Sequence, residues 1–361
     1  MQEQASRLDA DVVELTLGTG VPVLERSTVI SYRPSAPSRP RSLRPPFRYA
    51  DTAGLLYAWR KLSHRANALN GDVIFANPCQ FLQSPMSLLT TKAPTLYFCD
   101  EPRRVDHEAS VAASRNPATR GIYGPLYAAE RRLDSAAVAR ARRVVTNSAF
   151  TAGRVHAAYG VEATPVPMGV SELFRQARPP VQREDVVLSV GMLTANKGHD
   201  LVIRAAGTSA TARRVRIVSP RPDEGVAAEL NALAQGAGVQ LEILVGISDD
   251  ELRAQYDRCR LTAYMARSEP LGLASLEAQA CGAPVVVADE GGLPETMVDG
   301  VTGFKVKREA TAVAEAFDRL ADGALAARMG AAAAAHVEGA TWDRSASIMA
   351  EHLRELAGTR G

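Results

Sequence analysis

Ser268-Glu269-Pro270-Leu271-Gly272-Leu273-Ala274-Ser275-Leu276-Glu277-Ala278 follows a short β-prone apolar stretch, Leu261–Met265, and carries its own turn and helix start. The turn Pro270–Gly272 is therefore predicted at the carboxyl end of a strand, opening a helix. A helix start offers unpaired backbone N–H groups and a partial positive charge, which suits a diphosphate. Each such anion interaction is worth about 0.3–1 kcal/mol, and up to roughly 2 kcal/mol where partly buried. Gly272 is expected to let a ligand come close to the backbone. Glu269 lies before the helix and Glu277 one to two turns into it, so the two sit at different depths along one ligand. An ionised carboxylate accepts two hydroxyl hydrogen bonds at once, so each suits a vicinal diol, one on a hexose and one on a ribose. Alone, the spacing fits a helix cap and a structural acid equally well.

Working outward, short apolar runs alternate with helical patterns, the signature of parallel α/β architecture. The strand candidates are Val12–Leu17, Val73–Ala76, Thr95–Cys99 and Arg143–Thr146 in the first half. In the second they are Val186–Val190, Arg214–Ser219, Leu241–Val245, Leu261–Met265 and Pro284–Ala288. Helices are expected over Asp200–Ala206, Val226–Gln235 and Asp249–Cys259, the last behind a Ser248…Glu251 capping box. An alanine-rich helix, Ala324–Val337, and a final helix from Asp343 to Leu356 follow. The Pro/Arg/Ser-rich stretch Arg33–Arg48 reads as a surface loop. At 361 residues two domains are expected, with a proline-bearing linker at Thr164–Pro167. The expected boundaries are 1–167, 168–340, and a last segment 341–361 crossing back to the first domain. Two Rossmann-like, doubly wound halves facing a cleft would hold ligands at the carboxyl ends of their strands.

The two glutamates have company. Downstream come Ala280-Cys281-Gly282-Ala283-Pro284-Val285-Val286-Val287-Ala288, Glu290-Gly291-Gly292-Leu293-Pro294-Glu295 and Asp299-Gly300-Val301-Thr302-Gly303-Phe304. Upstream are Ser189-Val190-Gly191-Met192-Leu193, Asn196-Lys197-Gly198, Val145-Thr146-Asn147-Ser148 and Tyr97-Phe98-Cys99-Asp100-Glu101-Pro102-Arg103. Together these resemble the group 1 (family 4) retaining glycosyltransferases of the GT-B fold, whose hallmark is two glutamates with seven residues between them, then a Gly-Xaa-Pro-Val-Val strand and a Gly-Gly loop. The resemblance is dense over the second half and sparse over the first.

It implies that Glu269 binds the hydroxyls of the donor sugar and Glu277 those of the ribose. It further implies that Gly272, Leu273, Ala274 and Ser275 present N–H groups to the donor diphosphate, with Gly191 alongside. Lys197 would neutralise charge developing on the leaving phosphate, an effect that lowers a barrier because it grows in the transition state. Asp100, Glu101, Arg103, Asn147 and Ser148 are the first-domain candidates, and Glu295 reads as a supporting acid. No cofactor and no metal are expected. The implied partner is a nucleotide-sugar donor, with the acceptor unidentified.

The chain also departs from the family. Met192 stands where the family has an arginine as second phosphate ligand. Asp100 or its neighbours stand where many members have a histidine, with His107 a few residues on. Met1–Leu8 reads as the tail of a first helix, so the first domain is expected to lack its first strand, from a truncated or misassigned start.

Composition narrows the remaining classes. Apolar residues make up 46%, charged residues 23%, and net charge is +2, as in ordinary globular proteins. With no apolar run of membrane-spanning length and a polar, acidic start, a cytoplasmic protein is expected, with peripheral contact at an anionic membrane as an option. That option rests on Arg103, Arg104, Arg115, Arg120, Arg131, Arg132, Arg140, Arg142 and Arg143, for which a solvated helix face is the plainer reading. No nucleic-acid partner is expected, because aromatics are only 5% and no stacking motif is present. Cys79, Cys99, Cys259 and Cys281 form no CxxC pair and read as scattered thiols. Gly18-Thr19-Gly20 lacks the third glycine of a dinucleotide fingerprint and reads as a turn; Asp9-Ala10-Asp11 precedes a strand and reads as helix-end polarity. The competing function is a nucleotide-sugar-binding protein of the same fold without turnover; a phosphorylase or epimerase ranks third.

Overall fold

A computed structural model describes residues 2–17, 27–30, 44–79, 82–108, 117–177 and 181–358. The chain divides into two compact units, Met1–Val166 with Ser345–Gly361, and Pro167–Arg344.

The second unit is built on one six-stranded parallel sheet of β7 (Val187–Val190), β8 (Arg214–Ser219), β9 (Gln240–Val245), β10 (Leu261–Tyr264), β11 (Val285–Ala288) and β12 (Gly303–Val306). Its order is β12-β11-β10-β7-β8-β9, the doubly wound arrangement in which strand order reverses between β10 and β7. Helices cover both faces of such a sheet, so its central strands read as unbroken apolar runs. Val285, Val286, Val287 and Ala288 accordingly have no exposed surface at all. The helix Asp249–Arg258 opens with the expected capping box: Ser248 N–H donates to Glu251 Oε2 at 2.8 Å, and Glu251 N–H to Ser248 Oγ at 3.3 Å.

The first unit holds a four-stranded parallel sheet, β3 (Ile74–Ala76), β4 (Thr95–Phe98), β5 (Arg143–Thr146) and β6 (Ala163–Pro165), in that order. A separate parallel pair joins β1 (Glu14–Leu17) to β2 (Ser27–Ile30). The last helix, Trp342–Gly358, joins this unit from Ser345 onward. Arg143 Nη1 reaches Glu355 Oε2 at 2.6 Å, and Gln4 Nε2 donates to Ser345 Oγ at 2.8 Å.

Three strands escaped the sequence reading, for separate reasons. β6 takes in Thr164 and Pro165 of the expected linker Thr164–Pro167, its proline tolerated because an edge strand needs no donor on its outer side. β12 begins in the motif Asp299–Phe304, which carries no strand signal of its own, and β2 lies beside a stretch without periodic signal. The expected loop Arg33–Arg48 falls outside the described residues as far as residue 43, but Arg44–Arg48 begin the long helix Arg44–Leu69. Pro45 and Pro46 sit in its first turn, where a missing N–H has no partner to lose. The Gly18-Thr19-Gly20 turn also lies outside the described residues. No described helix is long and apolar enough to cross a membrane.

Candidate active site

The reversal of strand order between β7 and β10 leaves a crevice at their carboxyl ends. Two loops meet there, one running from Gly191 to Gly198 and one from Ala266 to Gly272. Arg267 N–H donates to the Asn196 carbonyl at 2.7 Å. Gly198 turns with φ 71°, and a Cβ there would run into the Met265 carbonyl oxygen, so only glycine allows this approach. The tight turn presents Lys197 to Glu269: Nζ lies 2.9 Å from Oε1 and 2.8 Å from Oε2. The side chains are 25% and 16% exposed, so the pair is accessible to a ligand yet well shielded from bulk water.

The Gly-Gly loop holds the glutamate from the other side. Gly292 N–H donates to the Glu269 carbonyl at 2.7 Å, and Ser268 N–H to Glu290 Oε1 at 2.9 Å. These bonds hold Ser268 in a left-handed conformation, φ 47°, which costs a non-glycine residue about 1–3 kcal/mol.

The helix Leu273–Ala280 starts from Gly272, whose φ is 101°. A Cβ at this position would come within 2.6 Å of Leu293 Cδ2. Gly272 is thus required by the turn and by packing on its own unit, a different reason from the ligand approach expected for it. Ser275 also differs from expectation. Its N–H donates to the Gly272 carbonyl at 2.9 Å, and its buried hydroxyl shares a hydrogen bond with Thr296 Oγ1 at 2.9 Å. Ser275 therefore closes the first turn and anchors the helix from below. Leu273 and Ala274 stand at helix positions that have no intrahelical acceptor. Gly191 packs against the Lys197 side chain.

Glu277 points back from this helix, and the Tyr256 hydroxyl donates to its Oε2 at 3.1 Å. Burial lifts the Glu277 carboxyl to about 7, against a downward pull from the Tyr256 phenol and a further rise from Asp249. A carboxyl poised near neutrality will be ionised by a ligand that donates hydroxyl hydrogen bonds to it.

Three residues of this site had no signal in the sequence. His199 is buried; its Nε2–H donates to the Met192 carbonyl at 3.2 Å, and Nδ1 lies 2.9 Å from Ser189 Oγ. Burial, with the Lys197 charge adding, lowers its pKa, so it is a neutral tether for the Gly191–Met192 loop. Met192 itself is 44% exposed. Tyr256 and Tyr264 come from neighbouring elements beneath the helix, Tyr264 donating to the Ala274 carbonyl at 2.8 Å. A ring at helical or strand spacing reads as core in a sequence, and only the fold shows where its hydroxyl ends.

In the first unit, β4 and β5 are neighbours and bring Asp100, Asn147 and Ser148 together. Asn147 Nδ2 donates to the Asp100 carbonyl at 3.2 Å, and Gln83 Nε2 to Asp100 Oδ1 at 3.0 Å. Ser148 caps the helix Ala149–Tyr159 by accepting from Thr151 N–H at 3.0 Å. Burial raises the pKa of Asp100, and also that of Glu101, whose rise Arg104 opposes. Arg103 does not join this group. Its guanidinium is bound to Glu130 at 2.6 Å and Asp106 at 3.1 Å, all three side chains nearly buried. Arg104 is likewise tied to Glu108, and Arg143 to Glu355, so these three are not part of an open basic patch. Arg131, Arg132, Arg140 and Arg142 are exposed; Arg115 lies outside the described residues and nothing is described of the Arg120 side chain. His107 is half-buried and packed edge-on against Tyr159, 5.3 Å between ring centres.

Residues 170–336 match the family model of the group 1 glycosyl transferases. This segment is a group 1 glycosyltransferase domain. It contains both loops, the helix Leu273–Ala280 and both glutamates. The chain also resembles a D-inositol 3-phosphate glycosyltransferase of Acidothermus cellulolyticus, 34% identical over 232 residues, 58% of this chain and 52% of the relative. A Mycobacterium avium protein of the same name is 36% identical over 181 residues, 48% of this chain and 42% of the relative. The chain thus spans about half the length of these curated relatives.

Among solved structures, sucrose-phosphate synthase from Thermosynechococcus elongatus superposes with a TM-score of 0.71, at 20% identity, covering 91% of this chain and 83% of that one. Anabaena HepE, solved with UDP and also with UDP-glucose, gives TM-scores of 0.69 and 0.68, at 19% and 18% identity, with 91% and 86% of the two chains covered in each case. At such identities the likeness establishes the fold: GT-B, with two parallel α/β units.

Proposed function

We propose that the chain is a retaining glycosyltransferase that moves a hexose-type sugar from a nucleoside-diphosphate donor to an acceptor. The observation that carries this reading is the Lys197–Glu269 pair, held at 2.8–2.9 Å beside the helix start at Gly272, with Glu277 further along the same helix. A donor diphosphate sits at the helix start, where Lys197 and the first N–H groups neutralise the charge that grows on the leaving phosphate. Glu269 accepts hydroxyls of the sugar and Glu277 those of the ribose. The acceptor attacks from the face the nucleotide leaves, and the departing phosphate takes its proton, so the route needs neither a protein nucleophile nor a metal.

The HepE complexes make uridine nucleotides the first donors to try, and the inositol 3-phosphate relatives make that polyol phosphate the first acceptor. Peripheral attachment to anionic lipid would draw on the exposed Arg131, Arg132, Arg140 and Arg142, and flotation with neutral and anionic vesicles tests it. A second reading, binding without turnover, is favoured by one feature: exposed Met192 supplies no second cation at the phosphate position.

Calorimetry with UDP, GDP, ADP and TDP, with Glu277→Ala as control, tests the reading. Saturable binding of one nucleotide, lost in the variant, supports it, and transfer assays with the matching nucleotide sugars then separate enzyme from binder. A folded protein that binds none of the four would sink it.

A further inference from the structure

Tyr256 is fully buried on the helix Asp249–Arg258 and held from three sides. Its ring packs edge-on against Phe174 with centres 5.8 Å apart, its carbonyl accepts from Arg183 Nη1 at 3.1 Å, and its hydroxyl donates to Glu277 Oε2. A ring so confined keeps its hydroxyl oxygen in one place, beside Glu277 and with the Tyr264 hydroxyl as its other neighbour. Glu277 lies one helix further on, with Oε2 engaged and Oε1 without a hydrogen-bond partner among the described residues.

We infer that Tyr256 is a positioning residue for the nucleotide site: its phenol clamps Oε2 of Glu277 and so aims the free oxygen, Oε1, at the ribose hydroxyls. The inference rests on the proposed function for the ribose; the clamp on the carboxylate stands apart from it. The clamp also selects a charge state, because a donor fixed on Oε2 favours the ionised carboxylate over the acid. The other groups facing Glu277 act against it. Asp249, at the start of the same helix as Tyr256, raises its pKa, while Tyr264 on β10 and Cys281 beyond its own helix are neutral neighbours at ordinary pH. Among the titratable groups facing Glu277, Tyr256 alone supplies a fixed donor to its carboxylate.

Tyr256→Phe removes the donor and keeps the ring, so the packing against Phe174 survives. Two readouts separate the clamp from the ribose assignment. The first is the Glu277 titration, followed by carboxyl ¹³C NMR and assigned with Glu277→Gln. In the variant its midpoint rises by about one pH unit, the scale of one lost charge-assisted hydrogen bond. An unchanged midpoint in a folded variant overturns the inference. The second is affinity for UDP, GDP, ADP and TDP across about pH 6 to 9. The variant binds about fivefold more weakly at about pH 7, approaches about tenfold near pH 6, and recovers toward the alkaline end, which a merely structural role would not produce. A shifted midpoint with unchanged affinity, or with no binding by the unaltered protein, leaves the clamp in place and overturns the ribose assignment instead.

Discussion

Replacing Glu269 by glutamine should move stability and two ligand affinities in three different ways. In the free protein Lys197 is bound to both oxygens of Glu269 at 2.8–2.9 Å. A hydrogen bond to a charged group contributes about 1.5–3 kcal/mol, and partial exposure of this pair argues for the low end. Glutamine keeps one acceptor for the lysine, so the net loss of stability is about 1 kcal/mol. That corresponds to a fall in melting temperature of about 2–4 °C for a domain of this size. A nucleoside diphosphate, in contrast, must draw Lys197 away from Glu269 or share it, and in the variant this competition is gone. Binding of the free diphosphate therefore tightens by about tenfold, or ~1.4 kcal/mol. The nucleotide sugar loses its acceptor for sugar hydroxyls, so its affinity falls about tenfold relative to that of the diphosphate, and transfer falls further. Thermal melts, with calorimetric titration of both ligands into each protein, read all three quantities. A variant in which the free diphosphate binds more weakly would refute the idea that the pair is competed by phosphate.

Four further outcomes follow from the same geometry. Gly198→Ala places a Cβ against the Met265 carbonyl in a left-handed turn, so it should cost about 3 kcal/mol and displace Lys197; urea unfolding together with nucleotide titration checks both effects. Glu277, raised from 4.5 to about 7, should release a proton when a nucleotide ribose binds it, because the hydroxyls favour its ionised form. Affinity then rises with pH through neutrality, and calorimetry in two buffers of different ionisation enthalpy, with Glu277→Gln as control, measures the proton. His199 has a lowered pKa in the folded state, so the unfolded chain takes up more protons below about pH 6.5 and stability falls as pH drops through that range. The slope of urea midpoint against pH should flatten in His199→Gln. Finally, Glu130→Ala leaves the nearly buried Arg103 with one partner fewer and should cost the first unit about 3 kcal/mol, seen as a lower melting temperature with unchanged nucleotide affinity.

The second unit was legible in the sequence because its signals are local. Val285–Ala288 is an unbroken apolar run since a central parallel strand is buried on both faces, and Ser248 with Glu251 satisfies a helix start by itself. Glycines and prolines mark the turns after each strand, so the stretch from Glu269 to Glu277 could be placed at a strand end before any coordinates. β6 and β12 were hidden because a strand of three or four residues at a sheet edge carries little hydrophobic pattern of its own. Tertiary structure alone decided who meets whom. Lys197 and Glu269 lie 72 positions apart, and they pair because strand order reverses between β7 and β10. The same is true of Tyr256 beneath Glu277 and of Arg103, whose charge reads as a solvated helix face but is nearly buried against Glu130, 27 positions on. Turn chemistry and strand burial act over a few residues and are written in order along the chain. Contacts between side chains on different elements depend on sheet topology and register, which arise only when the whole unit packs.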